Sequence, residues 1–224
     1  MSENLDLTIA KRQYNTIILA GVGIAILFRP VIDTLVLSKS ILPWWRLMIS
    51  TAVTWISLPV IYQYAIKVEN RKFLLWEERR RNILFFIISI IVLFVLALIG
   101  NFVASIPRHL GFHDDYTVIK YWDAIIKQNK IALFFICISA GATEELLIRG
   151  YVLPRLSLLF KSAYVPVILS SLIFSILHLG YRNLSELIFT FLFGILCAIY
   201  YKKYQNLTVL IVFHFLFDLM AFSR

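Results

Sequence analysis

The sequence predicts an all-α protein, a polytopic membrane bundle of about seven transmembrane helices around a polar cavity open toward the cytoplasm. Three observations predict it. Of the 224 residues, 60% are hydrophobic, and the mean hydropathy is +0.82; soluble domains sit nearer to about 45–50% apolar. The apolar residues are gathered into blocks close to the ~20 residues that a helix needs to cross a bilayer. Polar, basic or turn-forming segments separate the blocks. No tandem repeat, low-complexity tract or soluble domain interrupts them, so residues 1–224 read as a single integral-membrane domain.

The first block covers 14–28, with an extension to 37 beyond Arg29-Pro30. The segment before it, MSENLDLTIAKRQYN, is polar, and no small-residue cleavage site follows, so this helix is expected to stay as an anchor rather than leave as a signal peptide. Trp44 and Trp45 open the second block, 47–66, as interfacial anchors, and Trp122 has the same role before the fourth. KVENRKFLLWEERRRN (67–82) then brings six basic residues, which favours a cytoplasmic loop. That reading puts the N-terminus inside and the C-terminus outside, with Lys11, Arg12, Arg155, Lys161, Lys202 and Lys203 on the inner side. Arg29, Lys39, Arg46, Arg108, Lys120, Lys127, Lys130, Arg182 and Arg224 fall on the other side. The net charge of +9 is thus a matter of topology and anionic lipid; no nucleic-acid partner is implied.

The third block, 83–106, contains Asn101, expected to be an interhelical polar contact. In the 107–129 loop His109, His113, Asp114 and Asp115 lack recognised metal-ligand spacing and read as solvated. The remaining blocks are 131–152, 164–180, 184–201 and 206–222. Cys137 and Cys197 lie inside spans and read as small hydrophobes rather than a disulfide. Richness in Ile, Phe, Lys and Tyr in a short chain fits a bacterial cell membrane.

Charged groups within the later blocks carry the functional reading. A charge at mid-span costs ~2.5–3.5 kcal/mol on insertion scales, so Glu144, Glu145 and Arg149 together are expensive unless partnered. Glu145 and Arg149 are four apart and within reach of an ion pair. Glu144 is about 100° around the helix from Glu145 and is left without a partner in its own helix. Phe174 and His178 share a face of a second helix, and His214 and Asp218 share a face of a third. Bringing the three faces together around water relieves each of them.

Depth adds a condition. His214 is about eight residues into its span, ~12 Å from the cytoplasmic boundary at 1.5 Å per residue. Glu144 and His178 lie ~25 Å from that boundary if all between them is upright helix. The segment 154–161, PRLSLLFK, is therefore expected to leave the span as a short amphipathic interfacial helix. Glu144 and His178 then rise toward His214.

The same residues carry a family resemblance. EELLIR (144–149), FSILH (174–178) and HFLFD (214–218) match the patterns EExxxR, FxxxH and HxxxN/D, in that order and each on a late span. The chain thereby resembles the CPBP family (CAAX-protease and bacteriocin-processing, Abi-like) of intramembrane glutamic endopeptidases. The resemblance covers roughly 131–222, the expected catalytic core. It implies hydrolysis of a membrane-associated peptide or protein, with Glu144 as the general base on water and His178 assisting. His214 and Asp218 would stabilise the oxyanion, with Glu145, Arg149 and Phe174 in support. Prenyl-protein proteases of the family have Asn at the Asp218 position. An amide can donate to an oxyanion but an ionised Asp would repel it, so Asp218 is expected to act by orienting His214.

No cofactor motif is present and no metal is expected. No serine or cysteine has G-x-S-x-G-type context, so water is expected to attack directly. Two rival readings remain on the sequence: a zinc metalloprotease using Glu144, His178 and His214, although H-E-x-x-H is absent, and a non-catalytic peptide-binding, immunity or transport protein. Substrate identity and oligomeric state are not encoded in any motif.

Overall fold

A computed structural model of the chain describes residues 2–37, 41–79 and 81–223, with side chains from Lys11 onward. Lys39, Arg80 and Arg224, three of the basic residues counted above, lie outside the described residues. Among the described residues the fold is helical without strands. The helices are α1 (Ser2–Val36), α2 (Pro43–Lys67), α3 (Ile83–Ala104), α4 (Thr117–Ile126), α5 (Lys130–Leu159), α6 (Val165–Ile176), α7 (Leu184–Tyr204) and α8 (Leu207–Phe222). Every apolar block of the sequence is a helix. Five stretches are long and apolar enough to cross a membrane, on α1, α2, α3, α5 and α7. The remaining two, Val165–Tyr181 and Leu207–Phe222, are shorter apolar helices.

Local chemistry sets the helix ends. Asn82, Asn129, Asn183 and Asn206 cap the N-termini of α3, α5, α7 and α8 by accepting backbone N–H groups that no preceding turn can satisfy. Gln205 in the left-handed region ends α7, and Asn206 starts α8 at once. The Glu78 carboxylate accepts from Leu207 N and Thr208 N at 2.9 and 3.0 Å, an acid at the positive end of α8. α3 turns a broad row of Ile, Leu, Val and Phe side chains outward, as a lipid-facing helix does.

α1 continues past Arg29-Pro30 to Val36, the longer of the two expected extents, and Arg29 finds Ser50 at 3.2 Å and Asp33 at 3.6 Å within the α1–α2 pair. Three expectations need correction. Asn101 is exposed and its side chain makes no hydrogen bond with a described residue. Asp114 is not freely solvated: Ser185 N and Oγ donate to its carboxylate at 3.1 and 2.5 Å. Partial burial opposes its ionisation, but these bonds and that from Tyr116 outweigh it and hold the carboxyl below its usual range.

The third concerns 154–161. Instead of lying at an interface, Leu153, Pro154, Arg155 and Leu156 are buried, and α5 runs unbroken to Leu159. Glu69 draws Arg155 inward. Its Oε2 accepts from Arg155 Nη2 and Nε at 2.8 and 3.1 Å, and Oε1 accepts from Tyr151 Oη at 2.5 Å. Lys72 O and Phe73 O take further guanidinium hydrogens at 2.9 and 2.5 Å. The three faces meet by another route, since α8 does not start level with the end of α5. Gly150 faces Leu207, and Gly141 faces the backbone of Ile211 and Phe215.

Gly141 permits that approach. A Cβ there would stand 2.8 Å from Phe215 N and 3.0 Å from Ile211 O, both backbone atoms that cannot swing aside. Gly141→Ala is expected to lower stability by about 1–3 kcal/mol, as overpacking does. Thermal unfolding of the detergent-solubilised protein measures it.

Candidate active site

α5, α6 and α8 carry the motif residues. Within α5 the α-helical part Lys130–Glu144 gives way to a π-helical segment, Glu145–Val152, before α-helix resumes at Leu153. Pro154 lacks an amide hydrogen, and its ring crowds the carbonyl four residues back. The preceding turns widen, with Leu153 N–H donating to Ile148 O five residues away, and the helix passes through the proline instead of breaking. π-helical turns inside α-helices are rare and concentrate at functional sites.

Glu145 opens the widened segment and is fully buried. Its Oε1 accepts from Arg149 Nη1 at 2.9 Å and from His214 Nδ1 at 2.8 Å. An ionised carboxylate only accepts, so Nδ1 of His214 carries the proton of that bond. The Arg149 guanidinium, 1% exposed, lies 4.5 Å above the Phe174 ring, a cation–π contact in a dry setting. Phe174 in turn stands 4.7 Å from the His178 ring and 6.2 Å from the His214 ring. Its carbonyl oxygen is 2.8 Å from His178 Nδ1. That carbonyl can only accept, which leaves Nε2 of a neutral His178 as an acceptor.

Glu144 differs from its neighbour. Its side chain is 20% exposed, and its contact with the imidazoles is His214 Nε2 at 4.0 Å, beyond hydrogen-bond length. Asp218 Oδ2 is 3.6 Å from the same nitrogen, with 23% of the side chain exposed. Glu144 and His214 are the charged neighbours of His178 within the site. The seven residues singled out in the sequence therefore lie together. One relation changes: the hydrogen bond that anchors His214 comes from Glu145, where Asp218 was expected. Periodicity along single helices could find pairs four apart, but not a bond between α5 and α8.

Three residues escaped the sequence reading. The Phe193 ring on α7 is 4.9 Å from the His214 ring. Tyr181 stacks beside His178 at 5.8 Å, and Glu186 is a charged neighbour of Tyr181 and Asp218. Phe193 sits in a span with no distinguishing pattern; Tyr181 could have been suspected from its position three residues after His178. Among the described residues, no group of three or more His, Cys, Asp and Glu side chains is arranged to hold a metal ion.

The two flanks of the site are unlike. Toward the basic loop, Tyr151, Val152, Leu153, Arg155, Leu210 and Phe213 form a layer with no exposed surface. Toward the other end lie the partly exposed Glu144 and Asp218, then the 178–183 turn, which bonds to Asp115 O through Asn183 at 3.3 Å. Without a break at 154–161, Glu144 stays fifteen residues, or about 22 Å, above Leu159. The accessible flank thus faces away from the 67–82 loop. With the 67–82 loop in the cytoplasm, that flank lies toward the opposite end of the bundle from the expected cytoplasmic opening.

Residues 127–220 match the family model Type II CAAX prenyl endopeptidase Rce1-like, a stretch that contains all three motifs and supports the resemblance drawn from them. Neither the curated proteins nor the solved structures contain a significant match.

Proposed function

We propose, from the premise that residues 127–220 are a segment of the CAAX-protease family, that this multi-pass membrane protein is a glutamic-type endopeptidase. It hydrolyses a peptide bond of a membrane-associated peptide or protein. The observation that carries the proposal is the contrast between adjacent glutamates. Glu145 is consumed by Arg149 and His214, whereas Glu144 is partly exposed, makes no hydrogen bond among the described residues and lies beside an imidazole.

Glu144 removes a proton from water as the oxygen attacks the substrate carbonyl carbon. The carbonyl π pair moves to its oxygen, and the tetrahedral intermediate collapses as Glu144 returns the proton to the departing amine. His178 holds the water through Nε2. His214, kept in place by Glu145, steadies the developing charge when Nε2 also carries a proton. Asp218 adjoins that nitrogen and favours this protonated form.

Comparison of membrane peptides from cells expressing wild type and Glu144→Gln tests the proposal. Products should appear only with wild type; identical peptide sets would end the protease reading. Cleavage should also continue after exhaustive chelation, and loss restored by added zinc would favour the metalloprotease.

For localisation we propose the cell membrane with the basic loop in the cytoplasm, the N-terminus inside and the C-terminus outside. The accessible flank then meets the outer compartment. Cysteines introduced at Lys72 and Phe112, both exposed, report this with an impermeant maleimide, since Cys137 and Cys197 are buried. Intact cells should label position 112 and not 72; the reverse would turn the site to the cytoplasm.

A further inference from the structure

His178 is followed at once by a single 3₁₀ turn, Leu179–Tyr181, closed by Tyr181 N donating to His178 O at 3.0 Å. Arg182, at φ +56°, ends it in the left-handed region. Side chains three apart eclipse in 3₁₀ geometry, and the turn therefore carries the phenol of Tyr181 over the imidazole. The rings are 5.8 Å apart and inclined by 32°. The Tyr181 hydroxyl makes no hydrogen bond with any described residue. Glu144, Glu186, Asp218 and Arg29 lie within electrostatic reach of the phenol, and its ring contact with His178 sets it at the edge of the site, where Glu144 and Asp218 are partly exposed.

The reaction needs a hydrogen-bond donor that the motif residues supply only conditionally. Nδ1 of His214 is committed to Glu145, so Nε2 can donate only from the doubly protonated ring. An ionised Asp218 cannot donate at all. Nδ1 of His178 is turned to the Phe174 carbonyl. A phenol carries its proton in either state of these groups, and here it is uncommitted.

The geometry points to the Tyr181 hydroxyl as a catalytic donor to the oxyanion that forms when water attacks the substrate carbonyl. The role rests on the endopeptidase reading. In this step the water oxygen bonds to the carbonyl carbon and the π pair moves to the carbonyl oxygen. Glu144 takes the water proton, and Tyr181 lends a hydrogen bond without transferring its own.

The test compares wild type, Glu144→Gln and Tyr181→Phe in proteoliposomes. Its substrate is a precursor whose product peptide disappears from Glu144→Gln cells. Tyr181→Phe retains the ring against His178 and removes only the donor. It should lower kcat by about 10²–10³-fold, the value of one oxyanion donor, with KM little changed. It should also weaken binding of a phosphinate isostere of that precursor by a similar factor, and leave affinity for the uncleaved peptide in the Glu144→Gln background unaltered. A merely structural tyrosine would move both affinities together. Cleavage by Tyr181→Phe within threefold of wild type, or equal loss of both affinities, would overturn the assignment while leaving Glu144 as the base. If no product depends on Glu144, the endopeptidase reading falls, and this role with it.

Discussion

Glu144→Gln should slow peptide-bond cleavage by roughly 10²–10⁴-fold, the contribution of a positioned general base, while the protein unfolds at nearly the same temperature. The substitution keeps size and polarity and removes only the capacity to take a proton. Stability should hold because Glu144 is partly exposed, makes no hydrogen bond among the described residues and is 4.0 Å from its histidine neighbour. Glu145→Ala is the comparator. It strands the Arg149 guanidinium in a dry interior and frees His214, so stability and rate should fall together. Side-by-side rates and melting curves in detergent separate the two acids; equal losses of stability would mean that the inequality between them is misread.

Arg155→Ala is expected to destabilise the bundle by about 3–5 kcal/mol, because removing one partner of a buried pair leaves the other charge uncompensated. The pair is fully buried, and Arg155 also holds the carbonyls of Lys72 and Phe73, thereby fastening the α2–α3 loop to the end of α5. Replacing both members with apolar residues, Glu69→Leu with Arg155→Met, should recover most of the loss, since the desolvation cost of the ions goes with them. A double-mutant cycle on thermal unfolding measures the coupling. Additive single losses would show that the two side chains act independently.

Composition and spacing revealed most of the architecture because a bilayer imposes length and apolarity on each span separately. Each block from 47–66 to 206–222 needs no knowledge of its neighbours to be recognised. The motif pairs four apart, Glu145 with Arg149 and His214 with Asp218, were readable for the same reason: one helix contains both members. What escaped depends on pairs distant in sequence. Glu69 reaches Arg155 across 86 positions, and that contact turns an apparently interfacial PRLSLLFK into buried helix. Nor does the turn before α8 lie level with the turn after α5, as upright spans of equal depth would require, since Leu207 packs against Gly150. Glu145 as the anchor of His214 again joins two helices. Tyr181, three residues after His178, falls outside the four-residue spacing of the motifs, and the 3₁₀ turn brings the two rings together.

The wholly buried side chains between the motif residues and the 67–82 loop give the endopeptidase reading a consequence for transport. Reactant water and product ends would share the partly exposed flank, and hydrolysis would then draw on the proton activity of a single compartment. The membrane voltage would fall across the buried residues without moving charge through them.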